Sequence, residues 1–484
     1  MAAPEIEHTD VVVVGGGGSG LAAAVSAAQH GVDVVLLEKE AAVGGTTVLS
    51  VGSLSAAGTR HQRRAGVADS AQAFEEDMVA FDPDLLPGDA PALRRLLAVE
   101  AATTLHWLED LGVAFVGPYA EPPHRVPRMH NVVPSSRSYV ARLSEAAGRL
   151  GVDVRVRTVL LELVTDDGEV TGVRVRDDVS GRESTIQAGR GVVLATGDFS
   201  GNTEMRASHL PADAAAALPI NPRANGDGHR LGAAVGGSLA RMEMTFGPQL
   251  RFPPSPRGGV IDRLPTWRRL CQIEAALVQR LPSAALRPFV KSLLMAHMSP
   301  TSAMFAEGAV LVNAEGRRFC DETASIASLS SQSGARGYIV LDTRIADHFN
   351  KAPHSISTAP GIAFAYLDDY RRGRPDLMHS GATASALAGE IGVDADVLGE
   401  ALASSTLQAP YVAMGPVYSM LTVTEGALRV DPSLRVLDDS DRVVPGLYAV
   451  GGVGQGGMML KGHGHHIGWA MTSGRVAGES TARR

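Results

Sequence analysis

The chain opens with two short apolar runs on either side of a run of small residues. Residues 11–14 are four consecutive valines, and residues 32–37 are apolar at every position except Asp33. Between them, residues 21–30 are rich in alanine and end before Gly31. Short unbroken apolar runs are typical of strands buried in a parallel sheet, and a helix between two of them completes a βαβ unit. We therefore predict that the chain begins with a strand, a helix and a second, parallel strand.

The turn between the first strand and the helix carries a glycine motif. Gly15, Gly17 and Gly20 have the spacing G-x-G-x-x-G, and Glu38 follows the second strand. The first glycine permits a tight turn, the second lets the backbone approach a pyrophosphate, and the third lets the helix pack closely on the sheet. The helix N-terminus offers free N–H groups to the phosphates, and the acid accepts hydrogen bonds from a ribose. Together these features predict a dinucleotide-binding unit.

A second glycine doublet distinguishes between the dinucleotides. Gly44, Gly45, Thr46 and Thr47 follow only a few residues after Glu38. An NAD-binding half is expected to alternate strands and helices without a break. A further segment of glycines and hydroxyls instead suits a cofactor whose pyrophosphate and isoalloxazine continue past the first helix. The sequence therefore favours FAD.

Alternating and apolar patterns predict further elements along the whole chain. The predicted strands are 151–156, a meander of 159–164 and 170–175 with a turn at 166–168, a buried parallel strand at 191–198, a hairpin at 310–319, a strand at 338–341, a hairpin at 428–437 and a buried strand at 444–452. The predicted helices are one or two in 91–112, one opening at 225–228 and running through 234, two short ones in 384–402, and a terminal one at 466–482.

The domain organisation follows from where the nucleotide-binding pattern stops and resumes. Residues 239–408 have proline-rich connections, scattered aromatic residues and basic helices, without another nucleotide signature. We predict an α/β protein with an α+β cap. A Rossmann-like FAD-binding domain, with a parallel sheet and a β-meander, comprises residues 1–238 and 409–484. A smaller substrate or capping domain at 239–408 interrupts it.

Charge and cysteine content narrow the classes of function. The net charge of −8 gives no electrostatic reason to expect nucleic-acid binding. Cys271 and Cys320 are the only cysteines, so neither a disulfide framework nor a cysteine zinc site is expected. Residues 1–10 lack the apolar core of a secretory signal, and no window has the roughly 18 apolar residues that a transmembrane helix needs. We expect a cytoplasmic protein.

Taken in order, the motifs resemble those of the FAD-dependent fumarate reductase and succinate dehydrogenase flavoprotein family. That family also contains the 3-ketosteroid dehydrogenases and related desaturases. The resemblance rests on residues 11–47, 193–197, 225–228, 310–319 and 445–452. It implies that FAD lies extended across the first domain, with its isoalloxazine at the junction with the cap, where the substrate binds. It also implies hydride transfer between flavin N5 and a carbon β to a carbonyl or carboxylate.

The resemblance also indicates which residues contact FAD. They are expected in the glycine turn, after the second strand, beside the flavin, in the turns after the buried strands and at the start of the terminal helix. The expected FAD-binding residues are Gly15, Gly17, Gly18, Ser19, Gly20, Glu38, Lys39, Gly45, Thr46, Thr47, Gly52, Ser53, Val159, Ala195, Thr196, Gly197, Asp227, Gly451, Gly452, His465, His466 and Ile467. For Asp227, a simple helix N-cap is the alternative. Some relatives attach FAD covalently to a histidine in the segment that matches residues 49–54. No histidine occurs there, so we expect non-covalent FAD.

Three departures from the family pattern bear on the substrate. The stretch 321–326 lacks the arginine that delivers a proton in fumarate reductases, and residues 420–424 lack a paired histidine. Leu460 stands where ketosteroid dehydrogenases have a tyrosine. These departures argue against fumarate reduction and weaken a steroid assignment.

The candidate catalytic residues are Lys461, His463 and Tyr418. Lys461 is suited to stabilising an enolate or carboxylate, with a solvated surface lysine as the alternative. His463 can polarise a carbonyl or carry a proton. Tyr418 and, second to it, Tyr411 are proton donors by analogy with the desaturases, although a buried tyrosine with a satisfied hydroxyl is the commoner case. We expect no metal at the H-x-H-H run of 463–466, because no Asp or Cys accompanies it and the flavin should fill that space.

Other polar residues admit two interpretations. Arg317, Arg318 and Glu322 form either a proton path to solvent or a surface ion network. For His130 and Asn131 we expect a structural role. The stretch 267–298 predicts amphipathic cap helices with an apolar face packed inward. The alternatives are a lid over a lipophilic substrate tunnel and a peripheral membrane contact.

The sequence hypothesis is therefore an FAD-dependent dehydrogenase. It would remove hydrogen from the Cα–Cβ bond next to a ketone or carboxyl of a hydrophobic, cyclic small molecule. The alternatives are an ene-reductase that runs the reverse reaction and a non-catalytic flavoprotein. No second G-x-G-x-x-G is evident for NAD(P)H, so the external electron donor or acceptor is left open.

Overall fold

The computed structural model describes residues 5–256, 264–281, 299–322, 326–359 and 363–484. The strands are β1 (Glu5–Val14), β2 (Val34–Leu37), β3 (Ser53–Ser55), β4 (Ala114–Tyr119), β5 (Met129–Val133), β6 (Asp153–Arg155), β7 (Thr158–Asp166), β8 (Glu169–Asp177), β9 (Glu183–Leu194), β10 (Leu218–Pro219), β11 (Leu239–Ala240), β12 (Thr245–Phe246), β13 (Gln249–Arg251), β14 (Val310–Asn313), β15 (Arg336–Asp342), β16 (Ser357–Ala359), β17 (Ala363–Ala365), β18 (Met378–Gly381), β19 (Tyr411–Leu421), β20 (Val423–Thr424), β21 (Ala427–Leu428), β22 (Arg435–Leu437) and β23 (Val443–Ala449).

The α-helices are α1 (Gly18–Gln29), α2 (Arg60–Arg64), α3 (Ala71–Val79), α4 (Pro91–Asp110), α5 (Arg137–Arg149), α6 (Thr203–His209), α7 (Ala212–Ala216), α8 (Asp227–Ala234), α9 (Arg268–Arg280), α10 (Ala303–Ala306), α11 (Thr343–His348), α12 (Leu367–Gly373), α13 (Ala384–Ile391), α14 (Ala395–Ala403) and α15 (His465–Ala482). Short 3₁₀ helices are Gly45–Leu49, Pro83–Leu85, Ile326–Ser331, Ser333–Ala335, Pro375–Leu377 and Gly451–Gly454.

The first sheet has eight strands and is built from both ends of the chain. Its order is β22-β23-β9-β1-β2-β6, and the β7–β8 hairpin joins it through β9. The central pairs are parallel, with Val11 opposite both Val34 and Gly191. The valines of β1 are buried because helices or strands cover both faces of the sheet. The predicted α/β class is confirmed.

The terminal helix α15 lies against α1 at very short range. A Cβ at Gly474 would overlap the carbonyl oxygen of Ser19, and a Cβ at Gly478 would overlap that of Ala23. Glycine at these two positions is what lets the two helix backbones touch. The close packing brings the middle of α15, at Met471 and Gly474, to the glycine turn after β1, whereas the first turn of α15 lies against Leu54 and Ser55.

The second sheet contains most of the strands of the middle segment. Its order is β10-β19-β15-β14, with β13 and β18 also paired to β19. A second apolar core lies on it, built around Leu311, Ile339 and Met414. The strands β10 and β19 belong to this sheet although they lie outside residues 239–408. We call this second sheet the cap sheet. Tyr411 and Tyr418 lie on its strand β19.

A smaller sheet has the order β3-β5-β4. Its strand β3 follows the second glycine segment, and helix α9 packs against the sheet. The helix packs on this sheet through Cys271 and Ala275, which contact Val116 and Val133. The apolar residues of the stretch 267–298 were expected to pack inward, but two of them, Ile273 and Leu277, are 65% and 54% exposed. The expectation was wrong for these two residues because the buried stripe runs through residues 271 and 275, one turn apart. The predicted helical stretch 282–298 lies outside the described residues.

Most of the predicted elements are present. Helix α4 begins at Pro91, its first position, as the sequence indicates. The meander, the hairpin turn after Asn313 and the two helices α13 and α14 are confirmed. The buried strand predicted at 191–198 begins much earlier, at Glu183, because β9 first completes the antiparallel meander with β8. Within the described residues, no helix has the length and hydropathy of a membrane span.

Candidate flavin and substrate site

The glycine turn has the geometry that a bound pyrophosphate requires. Gly15 has φ 111°, and a Cβ there would overlap the Ala195 carbonyl oxygen. A Cβ at Gly20 would overlap the Gly15 carbonyl oxygen, whereas a Cβ at Gly17 would meet no atom within 4 Å. Gly17 is also the N-cap of α1 and has no side chain to cap the helix. A helix N-terminus that has a positive dipole and no side chain on its N-cap residue is suited to binding a phosphate.

The segment with the second glycine doublet closes over this turn. A Cβ at Gly45 would lie 3.2 Å from the Gly17 Cα. The Gly18 N–H donates to the Thr47 Oγ1 at 3.0 Å. Thr46 Oγ1 accepts from the side-chain amide of Asn221 at 2.8 Å, a contact that the sequence gave no sign of. The two glycine segments thus form one cradle.

The acidic end of β2 is fixed by backbone donors. Glu38 Oε2 accepts from the Gly16 N–H at 2.7 Å, and Oε1 accepts from the Glu40 N–H at 2.9 Å. Each carboxylate oxygen keeps a lone pair for a ribose hydroxyl. Lys39 and Asp227, both expected at FAD, form an ion pair of 2.9 Å. Asp227 is the first residue of α8.

The two turns that follow the buried strands come together behind the glycine turn. A Cβ at Gly451 would lie 2.5 Å from Ser19 Oγ, and one at Gly452 would lie 3.1 Å from the carbonyl carbon of Gly197. Thr196 Oγ1 is buried and has no hydrogen-bond partner within the described residues. A buried hydroxyl without a partner is costly, so it fits a site completed by a polar ligand.

Four other residues expected at FAD lie on β3, β7 and α15 or just before β3. Ser53 Oγ donates to Asn131 Oδ1 at 2.6 Å, and the Gly52 carbonyl accepts from the Tyr139 hydroxyl at 2.8 Å. Val159 is half-buried on β7, and Ile467 is half-buried in the first turn of α15. The donor set, the glycine cradle and the unpartnered hydroxyl fit a flavin dinucleotide.

The loop before α15 carries Lys461 and His463. Lys461 Nζ donates to the Thr245 carbonyl at 3.1 Å and lies 5.6 Å from the centre of the Phe246 ring. Thr245 and Phe246 form β12, which pairs with β20 close to the cap sheet. His463 bonds to Glu121, which belongs to the loop after β4. The loop is thereby held from both sides.

His465 follows this loop as the first residue of α15, and other protein groups enclose its side chain. Its ring is buried; Nδ1 accepts from the Gly462 N–H at 3.0 Å, and Nε2 lies 3.1 Å from His124 Nε2. Burial holds the pKa of His465 well below its usual value, so the ring is neutral. Burial likewise lowers the pKa of His124 to about 4.

The sequence did not point to the charged network beneath these histidines. Arg128 is fully buried and makes two hydrogen bonds with Asp69, at 2.7 and 2.8 Å. It also bonds to Asp77 and, at 3.0 Å, to His124 Nδ1. The partners are about 50 residues or more from Arg128 in sequence, apart from His124, so no local motif could reveal them.

Two buried acids lie beside residues that are expected to bind FAD. His466 Nε2 is 3.2 Å from Glu425 Oε1, and Gln455 donates to Glu425 Oε2 at 2.8 Å. Asp198 follows the Gly197 turn and is only 4% exposed. Burial raises the pKa of Asp198 to about 6, although the Ser200 N–H bond opposes the shift.

The cap sheet contributes Arg251 and Tyr418, which lie directly opposite each other in the β13–β19 pair. Arg251 Nη2 lies 3.3 Å from both Gln249 Oε1 and Thr422 Oγ1. Burial lowers the pKa of Arg251. Its positive charge opposes protonation of His463 and so acts against the rise in the pKa of that ring. The sequence interpretation missed Arg251, whose one signal is a lone arginine inside the apolar run of residues 250–252.

The remaining candidates lie apart from this region. Arg318 pairs with Glu322 at 2.7 Å, and Glu322 accepts from the Leu311 N–H at 3.0 Å. Arg317 is exposed on the hairpin turn. His130 is buried and lies 3.0 Å from Thr59 Oγ1, with a pKa lowered to about 3 by burial. Tyr411 is at the start of β19, opposite Asp342.

Comparison with known proteins shows which family the chain belongs to. The family described as FAD binding domain matches residues 10–461. A fumarate reductase (cytochrome) of Shewanella frigidimarina is 27% identical over 100% of this chain and 78% of its own length. The 3-oxosteroid 1-dehydrogenase of Mycobacterium tuberculosis is 25% identical over 72% of this chain and 63% of its own length.

A solved structure shows the same overall fold. The open conformation of a flavocytochrome c3 fumarate reductase superimposes with a TM-score of 0.74 at 25% identity, covering 100% of this chain and 79% of that one. The chain therefore belongs to the FAD binding domain family and is an FAD-dependent oxidoreductase that acts on carbon–carbon bonds.

Proposed function

We propose that the protein reduces the carbon–carbon double bond of an α,β-unsaturated acid or ketone. Three contacts support the proposal: Lys461 bonds to Thr245 of β12, Arg251 on β13 lies opposite Tyr418, and His463 bonds to Glu121. Hydrogen bonding to Glu121 raises the pKa of His463, which favours the imidazolium form. Such a site holds a substrate anion and offers it a proton.

Each residue has a separate task in this reaction. Bound FAD supplies the hydride that adds to the β-carbon. Lys461 and Arg251 bind the carboxylate or carbonyl oxygen and stabilise the negative charge that develops on it. His463 holds the proton that is delivered to the α-carbon. The Phe246 ring beside Lys461 forms an apolar wall for the rest of the substrate.

The sequence hypothesis of a dehydrogenase is the second candidate. The 3-oxosteroid 1-dehydrogenase among the relatives, and Tyr418 opposite Arg251, support it. In that direction the same cations stabilise an enolate formed when a base removes the α-proton. A hydrophobic cyclic ketone is then the substrate, and an external acceptor takes the electrons.

Anaerobic flavin spectroscopy distinguishes the two candidates. The flavin of the holoenzyme is photoreduced and mixed with a panel of unsaturated acids and cyclic enones, and the return of oxidised-flavin absorbance is followed. We expect at least one unsaturated acid to reoxidise the flavin quickly. If none does, and saturated cyclic ketones bleach the oxidised enzyme instead, the protein is a dehydrogenase and the proposed direction is wrong.

A lysine variant tests the anion site. Lys461→Met should slow reoxidation by about 10²–10³-fold, the usual effect of losing one group that stabilises developing charge. Lys351→Met removes an exposed cap lysine and is the matched control. A Lys461→Met enzyme that keeps the wild-type rate at low substrate would refute the assignment of Lys461.

A further inference from the structure

Glu121 is tied to the substrate loop by two bonds to one histidine. Its Oε1 accepts from the backbone N–H of His463 at 2.8 Å and also bonds to the ring Nδ1. The two residues are 342 positions apart in sequence, so their meeting depends on the tertiary fold. The backbone bond alone would anchor the loop. The second bond fixes the ring orientation as well.

The burial of Glu121 gives this pairing an electrostatic consequence. Glu121 is only 4% exposed, and its Oε2 has no hydrogen-bond partner within the described residues. A buried carboxylate is expensive unless a cation or donor compensates it. Among the described groups, the ring of His463 is the side chain that does so.

The rest of the His463 ring is directed away from the protein interior. The side chain is 51% exposed, and its Nε2 makes no hydrogen bond to any described residue. A histidine held at Nδ1 by a carboxylate keeps its Nε2 for a reacting group. This arrangement differs from that of His465, whose two nitrogens are both occupied.

Packed neighbouring residues hold Glu121 in place. The Glu121 carbonyl accepts from the His124 N–H at 3.0 Å. The His124 ring is in turn held between His465 and the fully buried Arg128. Glu121 therefore cannot move without disturbing a packed charged network, which is what a positioning residue requires.

We propose that Glu121 is the positioning residue of a carboxylate–imidazolium dyad whose His463 Nε2 exchanges the proton with the substrate α-carbon. The assignment rests on the proposed function. In the reduction, the β-carbon would gain its new C–H bond from the hydride that bound FAD supplies, and the π electrons would form the second C–H bond, at the α-carbon, with the proton from His463 Nε2. His463 is left neutral and takes its next proton from solvent, to which its ring is open.

The sign of the pH effect is the same for either direction of the reaction. The titratable groups that act on His463 are Glu121 from the β4 loop, Arg251 from β13 and His465 from α15. Glu121 favours the imidazolium, Arg251 opposes it, and the buried His465 ring is neutral. Removing the Glu121 charge therefore lowers the pKa of His463. The reduction rate then falls at lower pH than in the wild type, and a dehydrogenation rate would rise at lower pH.

The experiment compares Glu121→Gln, Glu121→Asp and a matched control. The control is Glu109→Gln, because Glu109 Oε1 is 2.8 Å from His61 Nε2 in an equivalent pair on helices α4 and α2. The His463 titration is followed by NMR of histidine-labelled, FAD-loaded protein, with His463→Gln for assignment. The pH profile of flavin reoxidation by an active unsaturated acid is measured in parallel.

We expect Glu121→Gln to move both the His463 titration and the pH profile to lower pH, Glu121→Asp to restore both in part, and Glu109→Gln to move neither. An unchanged His463 titration in Glu121→Gln would overturn the dyad. A moved titration with an unmoved pH profile would also overturn it, because His463 would then not carry the proton. Failure of the proposed function is distinguishable: no acid would reoxidise the flavin, while the NMR titration would still report the pairing.

Discussion

Gly20 lies so close to the carbonyl oxygen of Gly15 that a Cβ at residue 20 would overlap it. Both atoms belong to the backbone, so no side-chain rotation can relieve the clash. Gly17, between them in the same motif, has open space where a Cβ would be and an ordinary φ of −72°. The glycines of one motif thus serve different purposes, two for packing and one for the ligand.

Gly20→Ala and Gly17→Ala should therefore fail in different ways. Gly20→Ala should lose about 3 kcal/mol of unfolding free energy, since overpacking against backbone is not relieved by repacking. Gly17→Ala should unfold like the wild type but bind FAD more weakly, because the methyl group occupies the path of the pyrophosphate. Urea unfolding of the apoprotein and a fluorescence titration with FAD measure the two effects.

Gly148→Ala is the control for these two variants. Gly148 lies inside α5 and has no neighbour within 4 Å of an added Cβ, so alanine should stabilise the protein by about 0.5–1 kcal/mol. Wild-type stability in Gly20→Ala, or wild-type FAD affinity in Gly17→Ala, would contradict the assigned roles.

The buried arginine should be among the most sensitive residues for folding. Arg128→Met leaves Asp69 and Asp77 buried without their main cation, and we expect a loss of about 3–5 kcal/mol of unfolding free energy. Arg149→Ala, which breaks an exposed pair with Glu145, should cost less than about 1 kcal/mol. Equal denaturation midpoints for the two variants would show that the buried network is not important for stability.

The sequence could predict the cofactor half of the site because its signals are local. The glycine spacing, Glu38 and the second doublet lie within 33 residues of one another, and strand and helix patterns fix where they meet. The same locality explains why α4, the meander and the hairpin after Asn313 were predicted with nearly correct bounds.

The substrate half could not be predicted in this way. Glu121 meets His463 from a distant loop, and Arg251 reaches the region only because β13 pairs with β19. Neither contact follows from spacing along the chain. Helix α9 shows the same limit, because its amphipathic pattern did not indicate that the small residues Cys271 and Ala275 form the buried face.

Asp198 should make the protein less stable at higher pH. Its folded-state pKa is raised by burial from 3.8 to about 6, so folding favours the protonated form. The protonated carboxyl contributes its full stability below the unfolded-state pKa of 3.8. This contribution is lost as the pH rises through about 6, and the free energy of unfolding then falls by about 3 kcal/mol. Asp198→Asn should therefore gain up to that amount relative to the wild type between about pH 4 and pH 8. A pH-independent difference between the two unfolding curves would refute this.

The stability that His229 contributes should depend on pH in the opposite sense to that of Asp198. The ring is fully buried in α8, donates to the Gly426 carbonyl at 2.8 Å, and has its pKa lowered to about 4 by burial. The folded state therefore holds a neutral ring, whereas the unfolded chain takes up a proton below the ordinary value of 6.5. The stability contributed by the neutral ring is present above that value and is lost as the pH falls through about 4.

His229→Asn isolates this contribution, because asparagine can still donate to Gly426 but does not titrate. The wild-type protein should be the more stable of the two at about pH 7, and its advantage should shrink by about 3 kcal/mol as the pH falls to about 4. Guanidinium unfolding across this range measures the difference. An advantage that stays constant would mean that His229 titrates alike in the folded and unfolded chains, which a fully buried ring with one backbone acceptor does not allow.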